Sequence, residues 1–248
     1  MVKKCCLLMI LSAAIFPDAA QAPRAQGYEA FYKKCYDNGA AADQVIASCT
    51  AVISRGLVDK DDLATAYKNR GNAYDDEGQY DLALEDYGRA VETNPQDAEA
   101  FNSRGTTYIA LGRYELAIGD FDQAVRINPA SPVPLGNRCF AKAVLGELEL
   151  ALTDCNEALR IKPKHPGVYA SRALAHLKLK RYDAAIADYT AQLRIRPDDP
   201  YALFGRAMAK YSKGDVRGGD GDTVAAQLIK PDIADHMAAL GITLRDLR

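Results

Sequence analysis

The chain has 248 residues, 48% of them hydrophobic, with 31 Lys and Arg against 33 Asp and Glu. That composition suits a folded globular or repetitive protein and excludes a disordered one. The formal net charge of −2 leaves no basic excess to neutralise a phosphate backbone, so no nucleic-acid partner is expected.

At the N-terminus Lys3 and Lys4 precede the apolar run CCLLMILSAAIF, Cys5 to Phe16. AQA, Ala20 to Ala22, then puts small residues at positions −3 and −1 of a cleavage site. This is the pattern of a secretory signal peptide, residues 1–22, cut after Ala22. The run of 12 falls short of the ~20 residues that span a bilayer, and no later stretch is apolar enough to do so. The expected mature chain is exported, periplasmic or secreted, with no membrane span. It keeps Cys35, Cys49, Cys139 and Cys155, and an even number in an oxidising compartment favours disulfides.

Residues 23–27 are expected to be disordered and 23–63 to contain a degenerate helical hairpin. Within it, Cys35 and Cys49 face each other across a short turn. From Ala64 the chain repeats with a period of 34, in rows beginning at Ala64, Ala98, Pro132, Pro166 and Pro200. Position 7 is always Arg: Arg70, Arg104, Arg138, Arg172 and Arg206. Position 23 is always Asp: Asp86, Asp120, Asp154, Asp188 and Asp222. Position 20 is Ala83, Ala117, Ala151, Ala185 and Gly219, and position 32 is always Pro, from Pro95 to Pro231. A fixed period of this length signals stacked structural units.

Each row reads as two helices, with apolar residues three and four apart on either side of a turn near position 15. Proline at position 32 stops the second helix. One such pair cannot bury its apolar face alone, so it stacks on the next. In an antiparallel hairpin, positions 7 and 23 are equidistant from the turn. The Arg and Asp columns are therefore expected to form a ladder of ion pairs, because the planar guanidinium can grip a carboxylate with two hydrogen bonds. The alternative, a row of Arg for an acidic ligand, is disfavoured because every Arg has its Asp. By the same geometry Cys139 at position 8 faces Cys155 at position 24, so the disulfides expected are Cys35–Cys49 and Cys139–Cys155.

In the last row, GGDGD (Gly218 to Asp222) stands where helix should run, so a weak or frayed second helix is expected. Beyond Pro231, the apolar residues Ile233, Met237, Leu240, Leu244 and Leu247 predict a capping helix over 234–248, weakened by Gly241.

Gly71, Tyr74, Ala83, Tyr87, Ala90 and Pro95, then Gly105, Tyr108, Ala117, Phe121, Ala124 and Pro129, carry a resemblance to the tetratricopeptide repeat family. It covers residues 64–233. The departures are the missing Trp and the mixed position 4: Tyr67, Phe101, Leu135, Tyr169 and Leu203. The resemblance implies an all-α, right-handed superhelical solenoid of antiparallel helix pairs. Its repeats would be 64–97, 98–131, 132–165, 166–199 and a degenerate 200–233. It also implies a concave groove lined by the first helix of each pair. Mapped onto this chain, that groove is polar early (Lys68, Asn72, Asp75, Asp76, Glu99, Asn102). Later it is apolar (Phe140, Val144, Leu174, Leu177, Phe204, Met208, Tyr211), unless the C-terminal helix or a second copy covers it.

Nothing suggests chemistry. The only histidines are His165, His176 and His236; CxxC, HExxH, GxSxG and glycine-rich phosphate loops are missing; and DGD, Asp220 to Asp222, lacks the spaced oxygen ligands of a calcium loop. The expectation is a non-enzymatic exported adaptor without cofactor or metal, binding a protein or peptide partner. A self-assembling envelope protein is the alternative, and the oligomeric state stays open.

Overall fold

The chain has to reverse at position 15 of each repeat, and there its backbone turns left-handed. Gly78, Gly112, Gly146 and Gly214 have φ of 71°, 69°, 90° and 82°, and Lys180 takes the same place with φ of 58°. A side chain in that conformation costs roughly 1–2 kcal/mol, which glycine avoids. Lys180→Gly is therefore expected to raise stability by about 1 kcal/mol, read as a higher urea midpoint with unchanged slope.

The computed structural model describes residues 22–37, 39–56 and 58–243. An N-terminal hairpin comprises α1 (Ala22–Cys35) and α2 (Ala42–Arg55). Five pairs follow: α3 (Lys60–Asp76) with α4 (Tyr80–Thr93), and α5 (Ala98–Ala110) with α6 (Tyr114–Ile127). Next come α7 (Pro132–Leu145) with α8 (Leu148–Ile161), α9 (Pro166–Lys178) with α10 (Tyr182–Ile195), and α11 (Pro200–Ser212) with α12 (Val216–Ile229). A short α13 (Ile233–Ala239) closes the order. Consecutive helices pack on one another, so the architecture is an all-α solenoid. The signal-peptide residues before Ala22, and Leu244 and Leu247, lie outside the described residues. Residues 23–27, expected to be disordered, belong to α1.

Local chemistry sets the boundaries. Asp59, Asp97 and Asp199 each cap a first helix by accepting from the backbone N–H of Asp62, Glu99 and Ala100, or Ala202. The helices α7, α9 and α11 open on proline, where its fixed φ helps and its missing N–H costs nothing. Inside the hairpins the alanine column at position 20 is wholly buried. A Cβ on Gly71 would lie 2.9 Å from the Tyr87 ring, and one on Gly105 would lie 2.7 Å from the Phe121 ring. The helices thus approach closely at position 8, with the aromatic of position 24 filling the space.

Two further expectations need correction. GGDGD does not fray the fifth pair: α12 runs 14 residues. Tertiary packing overrides the glycine propensity, because the Tyr211 ring lies 2.5 Å from where a Gly219 Cβ would stand. Asp215 caps the helix from the Gly218 N–H, and Asp222 is tied to Arg206. The C-terminal helix is also shorter than expected. The helix gives way at Leu240, and Gly241 turns with φ of 75°. Ile233 and Met237 are fully buried in one core with Leu174, Leu177, Phe204 and Met208.

Candidate functional site

The Arg and Asp columns meet as five two-pronged pairs. Arg70 reaches Asp86 through Nε at 2.7 Å and Nη2 at 2.7 Å. Arg104 with Asp120, Arg172 with Asp188 and Arg206 with Asp222 repeat the arrangement at 2.7–2.8 Å. Arg138 grips Asp154 at 2.8 and 2.5 Å. The carboxylates are buried and the guanidinium groups mostly so. Hydrogen bonding to Asp120 holds Arg104 above the usual arginine range, outweighing burial, and Arg70 and Arg172 are raised by their aspartates likewise.

The sequence did not announce a further cation in two repeats. Lys142 and Lys210, four residues after their Arg, place Nζ 2.8 Å from Asp154 and Asp222. In the fourth repeat that place holds His176, whose Nε2 stands 3.9 Å from Asp188. Burial lowers its pKa, and its Nδ1 is buried without a partner among the described residues. For Asp222, burial alone would raise the pKa; Arg206 and Lys210 more than offset this and hold it below the ordinary value.

Cys35 bonds to Cys49 and Cys139 to Cys155, with Cα–Cα distances of 4.8 and 5.5 Å. The second disulfide occupies the slot that Gly71 and Tyr87 or Gly105 and Phe121 fill in the first two repeats.

The two ends of the concave groove differ. In its early half the polar side chains tie neighbouring helices together, within a repeat and between successive repeats. Lys68 is nearly buried, with Nζ 2.6 Å from Glu99 and 3.3 Å from Asp97. Thr107 donates to Asp75 at 2.6 Å, Tyr87 to Asn72 Oδ1 at 2.8 Å, and Asn137 to Asn102 Oδ1 at 3.1 Å. Asn72, Asp75, Asp76 and Asn102 together line an open cavity of about 400 Å³. Both asparagine oxygens already accept, which leaves their Nδ2 groups as the donors of these side chains.

Of the two outcomes left open for the late half, exposed or covered by the C-terminal segment, most of it takes the second. Leu174, Leu177, Phe204 and Met208 are buried, in one core with the C-terminal segment. Tyr211 packs over Gly219 and donates to Asp220, so it belongs to the α11–α12 hairpin. Phe140 and Val144 stay half-buried. Lys178, whose pKa burial lowers, donates to the carbonyls of Ala143 and Val144 at 3.0 Å and so stabilises the end of α7. What remains of the apolar half is a cavity of about 590 Å³ bounded by first helices, α10 and the C-terminal segment. Among the described residues no cluster of three His, Cys, Asp or Glu could hold a metal, and no helix is long and apolar enough to cross a membrane.

Helix pairs in constant phase, each held by an Arg/Asp clasp and stacked on the next, define a repeat solenoid. Residues 68–132 and 166–199 match models of the tetratricopeptide repeat, and the chain is a tetratricopeptide repeat protein. Among solved structures it is similar to a tetratricopeptide repeat protein from Parabacteroides merdae, at TM-score 0.68 and 19% identity over 90% of this chain and 96% of that one. TTC0263, a protein of the same type from Thermus thermophilus, aligns at TM-score 0.60 and 24% identity over 72% and 100%. YrrB, described as having an unusual peptide-binding site, aligns at TM-score 0.56 and 21% identity over 78% and 96%. These likenesses concern the fold. No curated protein matches the chain.

Proposed function

We propose that this protein is an exported, non-enzymatic adaptor that holds a peptide segment or helix of a partner protein in the concave groove. The observation that carries the reading is the pair Asn72 and Asn102. Each has its Oδ1 engaged, by Tyr87 and Asn137, which leaves its amide donors for a partner at consecutive repeats. Donors spaced by one repeat suit the carbonyls of an extended chain, and Asp75 and Asp76 beside them favour N–H donors or cations on the partner. The binding surface is therefore the polar half, reaching to Phe140, rather than the apolar half. YrrB, with the same fold, offers a precedent for peptide binding. Two intrahairpin disulfides support export, since such bonds persist in oxidising compartments.

The test is affinity capture from envelope extract with the wild-type chain and with Asn72→Ala/Asn102→Ala. Loss of two hydrogen bonds, each worth about 0.5–1.5 kcal/mol, is expected to weaken retention of the partner roughly tenfold or more. Equal retention by both chains rejects the groove as the site.

A further inference from the structure

The apolar half of the groove holds one polar atom that the fold leaves unserved. Gln192, on α10, is only 3% exposed and lines the cavity of about 590 Å³. Its Nε2 donates to Asp199 Oδ2 at 2.9 Å. Asp199 is itself fixed as the cap of α11, accepting the Ala202 N–H through Oδ1 at 3.0 Å. This clamp settles which end of the amide is which: the nitrogen is taken by the aspartate, and Oε1 is the other atom. Oε1 is buried and has no hydrogen-bond partner among the described residues. A buried acceptor without a donor costs about 1–3 kcal/mol.

The walls explain both the size and the chemistry of the space. Small side chains at Gly167 and Ala170 open it, and Phe140 and Leu174 line one side. Met237 and Leu240 of the C-terminal segment also line it. This segment packs against α11. A long peptide running through the groove would collide with it, whereas a compact molecule would not. The volume lies in the range of small-ligand sites, which combine apolar walls with a few placed polar groups. We propose that this cavity is a binding site for a small, mainly apolar molecule carrying one N–H or O–H donor, with Gln192 Oε1 as its acceptor. The site meets the polar half only at Phe140 and does not depend on the adaptor reading.

N-Phenyl-1-naphthylamine is a suitable probe: two aromatic systems joined by one N–H, with fluorescence that rises in apolar surroundings. Titrated into the full chain, it is expected to bind saturably at one site. Ala170→Phe fills the cavity from α9, and Ala239→Phe fills it from the exposed C-terminal segment. Each is expected to weaken binding at least about tenfold while far-UV circular dichroism stays unchanged; Ala239→Phe serves if Ala170→Phe fails to fold. Gln192→Leu is expected to weaken the amine by about tenfold, the value of one hydrogen bond, but not 1-phenylnaphthalene, which lacks the N–H. Absence of saturable binding overturns the proposal, as does binding that survives both phenylalanine variants and so resides elsewhere on the surface. An equal response of the two dyes to Gln192→Leu overturns the role of Oε1, whose partner would then be water.

Discussion

Replacing Arg104 by Ala is expected to cost more stability than replacing Arg104 and Asp120 together. Asp120 is 6% exposed, and both its oxygens are engaged by the guanidinium at 2.7 and 2.8 Å. Removing the cation strands a buried carboxylate, a class of change that costs 3–5 kcal/mol when the site is dry. The Arg104 side chain is 21% exposed, so water reaches the site and a loss of about 2–3 kcal/mol is the better figure. Removing Asp120 as well deletes the charge that had to be desolvated, and part of the loss is regained. Arg138→Ala provides an internal comparison. There Lys142 keeps Nζ 2.8 Å from Asp154, so the carboxylate retains a cation and the expected loss is smaller by about 1 kcal/mol. Urea melts of Arg104→Ala, Asp120→Ala, the double variant and Arg138→Ala decide. Additive losses for Arg104 and Asp120, or equal losses for Arg104→Ala and Arg138→Ala, contradict the clasp.

Features fixed by spacing alone could be read from the sequence. Arg70 and Asp86 lie sixteen residues apart around a turn, as do Cys139 and Cys155, and a constant period leaves little freedom in what faces what. Lys142 was not legible: it lies four residues after Arg138 and reaches the same carboxylate, but its column holds Tyr74, Tyr108, Lys142, His176 and Lys210 and shows no constant charge. The α12 helix was misjudged because propensity is a local quantity, whereas Gly219 is there to accommodate Tyr211 from the facing helix. The covered half of the groove depended on where the tail folds after Pro231, a long-range outcome no periodicity encodes. Gln192 had no sequence signal: its interest arises only because Asp199 holds one end of the amide and leaves the other bare.

The other large effect concerns the staple in the middle of the stack. Cys139→Ala/Cys155→Ala is expected to lower stability by about 3 kcal/mol, the chain-entropy value for a loop of roughly 15 residues. The bond sits in the third of five pairs, wholly buried, and the helices on either side stack directly on its own. Loss there should therefore reduce cooperativity as well as midpoint, since neighbouring units hold one another up. The first two repeats suggest a non-covalent replacement. Where the third pair has two cysteines, they have glycine against an aromatic: Gly71 with Tyr87, and Gly105 with Phe121. Cys139→Gly/Cys155→Tyr installs that arrangement, and the buried ring is expected to recover at least about 1 kcal/mol relative to the double alanine variant. Denaturant melts under non-reducing conditions, with mass spectrometry to establish that Cys35–Cys49 remains closed, measure both steps. If the glycine–tyrosine variant is no more stable than the double alanine, the third pair has diverged around its disulfide and its helices no longer meet at the aromatic spacing. If the double alanine variant melts with the wild type, the bond adds nothing that the Arg138–Asp154 clasp and the buried alanines do not already supply.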